Sequence, residues 1–210
     1  MTILITGCAG FIGYHISNHL IKNKKNNVYG IDNLNAYYDI NLKKKRLSLL
    51  TKNSNFKFNK IDIKHYQKLE NFFLKKKIKV IIHLAAQAGV RYSINSPRTY
   101  VDNNITGFFN ILEISRKYKI KHLLFASSSS VYGSYNKLPL NEDMNTDKPD
   151  SFYAATKKCN EVMAYSYSNL YNIKITGLRF FTVYGPFGRP DMALFKFTQN
   201  IFNNKTIKLH

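Results

Sequence analysis

The stretch Ile3-Leu-Ile-Thr-Gly7-Cys-Ala-Gly10-Phe-Ile-Gly13 decides the fold of this chain. Its apolar start predicts a buried strand, and the residues from Phe11 onward predict a helix. The three glycines between them permit a tight turn, a close backbone approach to a ligand and close packing of helix against strand. The helix N-terminus offers free N–H groups and the positive end of its dipole. The stretch therefore predicts a strand–turn–helix unit that binds phosphate.

Beyond this unit, short apolar runs alternate with helical patterns. Strands are predicted at Ile3–Thr6, Val28–Ile31, Phe56–Ile61, Val80–Leu84, His122–Ala126 and Ile173–Leu178, and helices at Phe11–Ile21, Asn41–Leu50, Tyr66–Phe73, Tyr100–Tyr118 and Phe152–Tyr171. This alternation predicts an α/β fold, a Rossmann-type doubly wound parallel sheet with helices on both faces.

Length and composition are those of one globular core. The chain has 210 residues, of which 44% are hydrophobic and 21% charged. No apolar run reaches the roughly 18 residues of a membrane span, and the start of the chain lacks the basic region of a signal peptide. We expect a cytoplasmic protein with no membrane contact, in which Cys8 and Cys159 are free thiols.

The formal net charge of +20 raises the question of nucleic-acid binding. Only six of the 32 cationic residues are arginine, and lysines crowd the ends of predicted elements, as in Lys43-Lys-Lys-Arg46. We interpret these runs as solvated surface and expect no nucleic-acid partner. His15 and His19 share a helix face without other ligands at metal-binding spacing, so we expect no metal.

Asp32 ends the second predicted strand, where dinucleotide-binding folds carry an acidic residue. A carboxylate at this position accepts hydrogen bonds from the adenosine ribose hydroxyls and repels a 2′-phosphate. The position therefore predicts NAD in preference to NADP. The alternative interpretation is that Asp32 and Asn33 only form a turn.

Tyr153 and Lys157 are separated by four residues, which places a phenol and an ammonium on one helix face. A nearby lysine stabilises a phenolate and lowers its pKa, making the phenol a general acid/base. Tyr153 is the only tyrosine with a lysine four residues later. A solvated helix pair is the alternative.

A run of hydroxyls, Ser127-Ser-Ser-Ser130, follows the fifth predicted strand. Ligands of open α/β sheets bind beyond the carboxyl ends of the strands, so these serines are predicted to face the cofactor crevice. A serine there can hydrogen-bond the reacting oxygen and share its proton with Tyr153. The alternative is a serine-rich turn without a functional role.

With these motifs in place, the chain resembles the extended short-chain dehydrogenase/reductases of the NAD-dependent epimerase/dehydratase family. The matching segments occur in the family's order: Thr6–Gly13, Asp32–Leu34, His83–Ala86, Ser127–Gly133, Tyr153–Lys157 and Arg179–Pro186. The resemblance implies NAD as cofactor and a catalytic set of Tyr153, Lys157 and Ser128, with Lys157 also gripping the nicotinamide ribose. It implies that the cofactor contacts Gly7, Gly10, Phe11, Ile12, Gly13, Asp32, Asn33, Asp62, Ile63, Leu84, Ala85, Ala86, Tyr153 and Lys157, with Asp62 and Ile63 beside the adenine.

Within this family, three stretches resemble the UDP-glucuronate 4-epimerases: Asp32–Asp39, Gln87–Ser93 and Arg179–Ala193. This resemblance implies the conversion of UDP-glucuronate to UDP-galacturonate through a 4-keto intermediate, in polysaccharide biosynthesis. We expect the sugar carboxylate to meet the hydroxyls of Ser128, Ser129, Ser130 and Thr182. Arg91 and Arg189 are expected at the carboxylate or the diphosphate, with surface salt bridging as the alternative.

Other activities stay open on the sequence alone. They are 4-epimerisation of a neutral UDP-hexose, decarboxylation of the same glucuronate substrate, and cofactor binding without turnover. A dehydratase of the dTDP-glucose type would need an Asp-Glu pair where Ser129 and Ser130 stand.

The end of the chain suggests an incomplete second domain. We expect an NAD-binding domain at 1–180 and the start of a substrate-binding lobe at 181–210, with a helix at 191–205 and a strand beginning at 207. The resemblance also implies a homodimer formed by the helices Tyr100–Tyr118 and Phe152–Tyr171.

Overall fold

Six parallel strands form one sheet in the order β3-β2-β1-β4-β5-β6. The computed structural model describes residues 1–74, 76–134 and 138–207. The strands are β1 (Thr2–Thr6), β2 (Asn27–Asp32), β3 (Phe56–Lys60), β4 (Val80–His83), β5 (His122–Ser128) and β6 (Ile175–Phe180). The predicted doubly wound sheet is confirmed, and all six predicted strands are present with ends shifted by one to two residues.

Helices cover both faces of the sheet. They are α1 (Phe11–Leu20), α2 (Ile40–Leu50), α3 (Tyr66–Phe73), α4 (Tyr92–Asn95), α5 (Pro97–Tyr100), α6 (Gly107–Lys117), α7 (Phe152–Tyr171) and α8 (Ala193–Phe202). The alternating side chains of β1 show how the faces are used. Leu4 joins a core cluster with residues of α3, α6 and α7, whereas Ile3 and Ile5 pack with residues of α1 and α2.

The predicted helix Tyr100–Tyr118 is divided in the structure. A π-helical turn, Val101–Thr106, precedes α6, and the short helices α4 and α5 come before it. Asn160 of α7 donates to the backbone oxygen of Asn104 at 2.7 Å, within the π-helical turn. Four-residue helices have no detectable apolar period, so the sequence pattern did not reveal α4 and α5.

The strand order reverses direction between β1 and β4, which pair in register from Ile3 with Val80 to Thr6 with His83. The connections leaving β1 and β4 run to opposite sides of the sheet, and a crevice opens beyond their carboxyl ends. The fold therefore places the loops after β1, β2, β4, β5 and β6 around one opening.

The C-terminal residues extend beyond the sheet. The predicted helix within 191–205 is present as α8, and none of its residues is buried. Ile207 is not in a strand, and the rest of the strand expected at 207–210 lies outside the described residues. Across the described ranges, no helix has both the length and the apolar character needed to cross a membrane.

A hydrogen-bonded threonine joins β1 to β4 at their carboxyl ends. The Thr6 hydroxyl lies 2.8 Å from Nδ1 of His83 and accepts from the backbone N–H groups of Leu84 and Ala85, both at 3.1 Å. Because the hydroxyl accepts two N–H groups, its own proton is available to Nδ1. Burial, with a smaller contribution from the charge of Lys157, lowers the pKa of His83 to about 3. His83 is therefore a neutral, buried part of the sheet.

This neutral histidine predicts acid sensitivity. The folded pKa of His83 is about 3 and its ordinary value is 6.5, so the unfolded state binds more protons between these values and stability falls as the pH drops through them. The slope from one such group is at most about 1.4 kcal/mol per pH unit. We expect His83→Asn, whose amide oxygen can replace Nδ1, to show a smaller loss of unfolding free energy between pH 6.5 and 4 in urea titrations. His19→Asn, at an exposed position, is the control, and equal slopes in both variants would contradict the prediction.

Candidate active site

One cavity of about 390 Å³ occupies the crevice at the carboxyl ends of the strands. It brings together eighteen of the residues that the sequence analysis assigned to the site. These are Gly7, Gly10, Phe11, Ile12, Gly13, Asp32, Asn33, Ile63, Leu84, Ala85, Ala86, Ser128, Ser129, Ser130, Tyr153, Lys157, Thr182 and Arg189. Asp62 and Arg91 do not line it.

The glycine turn forms the floor of the cavity. Gly7 has a φ of +71°, and a Cβ on this residue would lie 2.7 Å from the backbone nitrogen of Ala85. A Cβ on Gly13 would lie 2.1 Å from the backbone oxygen of Gly7. The N-terminus of α1 therefore packs directly on the turn, and its free N–H groups are available to an anion in the cavity.

Asp32 shapes the turn from the end of β2. Its carboxylate accepts from the backbone N–H of Ala9 at 3.1 Å and from that of Leu34 at 2.8 Å. Burial raises the pKa of Asp32, while these hydrogen bonds and the charges of Lys43 and Arg46 act in the opposite direction. Asp32 thus has the turn role of the alternative interpretation and also lines the cavity.

Lys43 and Arg46 are the main residues that the sequence analysis missed. The interpretation of the run 43–46 as solvated surface is wrong for both, because Lys43 is 5% exposed and Arg46 is fully buried. Their spacing of three places them on the inward face of α2, whereas the two lysines between them face solvent. Lys43 lines the cavity, and its ammonium donates to the backbone and side-chain oxygens of Asn35. Only that spacing could have revealed them in the sequence.

Tyr153, Lys157 and Ser128 meet in the cavity as predicted, but the electrostatics differ from the expectation. Lys157 donates to the backbone oxygen of Ala126 at 2.8 Å, and burial lowers its pKa to about 8. Burial raises the pKa of Tyr153, whereas the Ser128 hydroxyl and the charge of Arg189 act to lower it. The expected lowering of the phenol pKa by Lys157 is therefore not found, because burial has the largest effect on Tyr153 and the opposing contributions come from Ser128 and Arg189.

A buried amide fixes α7 against the loop after β4. The Asn104 side chain accepts from the backbone N–H of Gln87 at 2.7 Å and donates to its backbone oxygen at 3.1 Å. It also donates to the Thr156 hydroxyl at 3.0 Å, and that hydroxyl donates to the backbone oxygen of Tyr153 at 2.7 Å. This chain of contacts holds the helix turn that carries the phenol.

The four hydroxyls Ser128, Ser129, Ser130 and Thr182, here called the hydroxyl cluster, line the same cavity. Ser128 to Ser130 lie where β5 passes into a short 3₁₀ turn. The Ser128 oxygen accepts from the backbone N–H of Ser130 at 3.2 Å, so its proton is free to be donated to a ligand or to a phenolate.

The two arginines expected at the substrate are placed differently. Arg189 lines the cavity, forms a bidentate pair with Asp191, and Tyr37 donates to the same carboxylate at 3.2 Å. Arg91 is exposed at the start of α4, outside the cavity. Ser93 is the buried residue of α4, and Arg91, two positions before it, faces solvent.

Asp62 supports the site from behind. Its carboxylate accepts from the Asn33 amide at 3.1 Å and from the backbone N–H of Lys64 at 3.0 Å. Burial opposes ionisation, but these hydrogen bonds and the charge of Lys64 outweigh it and lower the pKa of Asp62. Asp62 thus orients Asn33, while the neighbouring Ile63 forms part of the cavity wall.

A parallel sheet of this strand order, with a glycine turn and a strand-end carboxylate at one opening, is the architecture of the Rossmann-type dinucleotide-binding proteins. The sequence profile of the NAD dependent epimerase/dehydratase family matches residues 3–210. The chain belongs to this family.

Three similar proteins illustrate the relationship. Protein CapI of Staphylococcus aureus is 55% identical over 210 residues, which are 100% of this chain and 62% of that protein. The UDP-glucuronate 4-epimerase of Thermodesulfobacterium geofontis is 48% identical over 98% of this chain and 63% of its own length. Among solved structures, the UDP-glucuronic acid 4-epimerase of Bacillus cereus, in complex with UDP-glucuronic acid and NAD, superposes with a TM-score of 0.90 at 38% identity. That superposition covers 98% of this chain and 64% of the other. The chain thus spans less than two thirds of the length of these relatives.

The contact between Gly13 and Gly7 gives a stability prediction. Alanine normally stabilises a helix relative to glycine by about 1 kcal/mol. Gly13→Ala should instead lower the free energy of unfolding by about 3 kcal/mol, because the new methyl group would overlap a backbone oxygen. Gly10→Ala is the matched control, since its Cβ would lie 3.0 Å from the same oxygen and a small shift relieves the contact. Urea denaturation followed by circular dichroism measures both, and a neutral effect of Gly13→Ala would disprove the close packing.

Proposed function

We propose that the protein converts UDP-glucuronate to UDP-galacturonate by NAD-dependent epimerisation at C4, through a transient 4-keto sugar. The observation that carries this proposal is the shared cavity. One opening holds the glycine turn, the phenol of Tyr153 beside Ser128, and the hydroxyl cluster with Arg189. The named 4-epimerase relatives support the choice of reaction and of sugar.

The cavity residues fit a bound dinucleotide. The glycine turn and the N-terminus of α1 bring backbone N–H groups to the cavity, where they can bind a pyrophosphate, and Asp32 is available to the adenosine ribose hydroxyls. Ile63 offers an apolar wall for the adenine, and Lys157 lies near Tyr153 for the nicotinamide ribose. A bound nicotinamide dinucleotide would supply reversible hydride-transfer chemistry at C4 of the sugar.

In this proposal, Tyr153 takes the proton of the 4-hydroxyl and later gives it back. The Ser128 proton is free to stabilise either the phenolate or the sugar oxygen. Because burial raises the pKa of Tyr153, ionisation of the phenol needs positive charge nearby. Arg189 already supplies part of that charge, and a positively charged nicotinamide ring would add to it.

The hydroxyl cluster has a specific task with a glucuronate substrate. A sugar that carries a 4-keto group and a carboxylate at C5 is a β-keto acid, which loses CO₂ when its carboxylate aligns with the carbonyl. Donors from Ser128, Ser129, Ser130 and Thr182, together with Arg189, can hold the carboxylate out of that alignment. Arg91, which is exposed outside the cavity, is left out of this role.

A second candidate function is NAD binding without turnover. It is favoured by one observation, that α8, in the part expected to bind the substrate, has no buried residue. We propose that residues 181–210 begin a substrate-binding lobe whose remainder holds the nucleotide end of the substrate.

We also propose a homodimer through α6 and α7, which expose Phe109, Val162 and Tyr165. We further propose a cytoplasmic location, where the NAD pool is available.

The product of UDP-glucuronate distinguishes these functions. The protein is incubated with NAD and UDP-glucuronate, and the nucleotide sugars are separated by anion-exchange chromatography and identified by proton NMR. UDP-galacturonate is the expected product. A released UDP-pentose would indicate decarboxylation. In a parallel incubation with UDP-glucose, turnover of this sugar without turnover of UDP-glucuronate would indicate a neutral-hexose epimerase. NAD binding without any product would favour the second candidate.

Removal of the Tyr153 oxygen tests its role directly. Tyr153→Phe should lower turnover by a factor of about 10² to 10⁴, since general acid/base catalysis contributes about that much. NAD affinity, measured by calorimetry, should stay within about twofold because the substitution removes only the phenolic oxygen and keeps the ring. The control is Tyr29→Phe in β2, which removes the same oxygen at a position that does not line the cavity. Wild-type turnover in Tyr153→Phe would refute the acid/base assignment.

Asp32 provides a test of cofactor choice. Asp32→Ala should weaken NAD by about tenfold or more and narrow the preference for NAD over NADP, because hydrogen bonds to a charged group and the repulsion of a 2′-phosphate are both lost. In the protein, Ala9 and Leu34 donate to different oxygens of Asp32, so Asp32→Asn keeps an acceptor for one of these N–H groups, whereas Asp32→Ala keeps none. A smaller loss of NAD affinity in Asp32→Asn than in Asp32→Ala measures the share that comes from turn structure. Unchanged NAD affinity in Asp32→Ala would remove the ribose assignment.

A further inference from the structure

An ion pair lies directly behind the hydroxyl cluster. Arg179 of β6 donates to Glu161 of α7 through Nε to Oε1 and through Nη2 to Oε2, both at 3.0 Å. The two side chains are 20% and 17% exposed. The guanidinium also donates to the backbone oxygen of Glu142 and lies 4.9 Å from the ring centre of Tyr132. The guanidinium of Arg179 is thus held by contacts with Glu161, Glu142 and Tyr132.

Ser127 connects the pair to the cavity. Its hydroxyl donates to Oε1 of Glu161 at 2.5 Å, and Ser127 itself lines the cavity beside Ser128. In the sheet, Ser127 pairs with Arg179 and Ser128 pairs with Phe180, two residues before Thr182. Because the Ser127 proton is given to Glu161, Ser127 cannot donate to a ligand, in contrast to Ser128.

The charges of the pair matter for an anionic ligand. The Glu161 carboxylate is one hydroxyl away from the cavity wall, at the side that presents the hydroxyl cluster. Hydrogen bonding and the charge of Arg179 lower the pKa of Glu161 in spite of its burial, so it is ionised at neutral pH. An unpaired carboxylate there would repel a second carboxylate in the cavity, whereas the bidentate arginine cancels most of that repulsion.

We propose that the Glu161–Arg179 pair determines how tightly the cavity binds a negatively charged sugar. Within the pair, the charge of Arg179 offsets that of Glu161, which permits a sugar carboxylate to bind at the hydroxyl cluster. This inference rests on the proposed function, since it assumes that the hydroxyl cluster faces the C5 substituent of the sugar. Neither residue touches the substrate. The pair sets the electrostatic potential at the hydroxyl cluster through Ser127.

The test compares two sugars in single-charge variants. Dissociation constants of UDP-glucuronate and UDP-glucose are measured by calorimetry on the NAD-loaded protein at pH 7.5, and their ratio is the readout. Arg179→Gln leaves Glu161 unpaired, so UDP-glucuronate should weaken by about tenfold relative to UDP-glucose. Glu161→Gln leaves Arg179 unpaired, and the ratio should shift in the opposite direction. The double variant should return the ratio to near the wild-type value.

A matched control pair is present outside the lining of the cavity. Arg116 donates to Glu113 with the same two-bond geometry, at 3.0 and 2.8 Å, and neither residue lines the cavity. Arg116→Gln and Glu113→Gln change the net charge equally and should leave the ratio within twofold of wild type. The ratio is measured within one protein, so a loss of folded fraction alters both sugars alike.

Each outcome decides one question. Opposite shifts in Arg179→Gln and Glu161→Gln, absent from the control pair, support the inference. Shifts in the same direction, no shift, or equal shifts in the control pair overturn it. If the wild-type protein prefers UDP-glucose, the proposed substrate is wrong, and opposite shifts in the two variants still separate that failure from failure of the charge pair.

Discussion

The close packing of Gly13 against the Gly7 carbonyl is the constraint on which the rest of the site depends. A methyl group at Gly13 would lie 2.1 Å from that oxygen, so the helix packs on the turn with no space for a side chain between them. This packing aims the N-terminus of α1 at the cavity. It also sets the turn against the loop after β4, because Gly7 lies against Ala85. Side chains at Gly7 and Gly13 would push the helix and the loop after β4 away from the turn. The backbone of the turn could then no longer approach a dinucleotide closely.

The polar groups around this turn are arranged so that each buried charge meets fixed dipoles or an opposite charge. Asp32 receives two backbone N–H groups, and Lys157 donates to a backbone oxygen. The neutral His83 accepts from Thr6 instead of carrying a charge. The dipoles and charges of such a site have fixed directions, so little reorientation is needed when a charged ligand binds. The protonation states of Asp32, His83 and Lys157 therefore depend on their burial in the folded protein.

Much of this arrangement could be predicted from the sequence, because the relevant signals are local. The glycine turn, Asp32 at a strand end, and the Tyr153–Lys157 spacing each depend on residues a few positions apart, and the structure brings them into one cavity. Lys43 was missed because its neighbours are cations and composition obscured the helical spacing. Asn104 was missed because its contacts reach Gln87 and α7, far away in the sequence. The phenol pKa was misjudged because burial is a property of the whole fold.

Arg46 has a consequence for where the folded unit ends. Its guanidinium is fully buried and donates to the backbone oxygens of Ala9, Phe187 and Gly188, and to the Tyr38 hydroxyl. The sheet itself ends at Phe180. A fragment cut there would leave a buried cation without two of its four acceptors, each such loss costing about 1–3 kcal/mol. The segment that follows β6 therefore stabilises the glycine turn from outside the sheet, and a fragment that ends at the last strand would have a weakened turn.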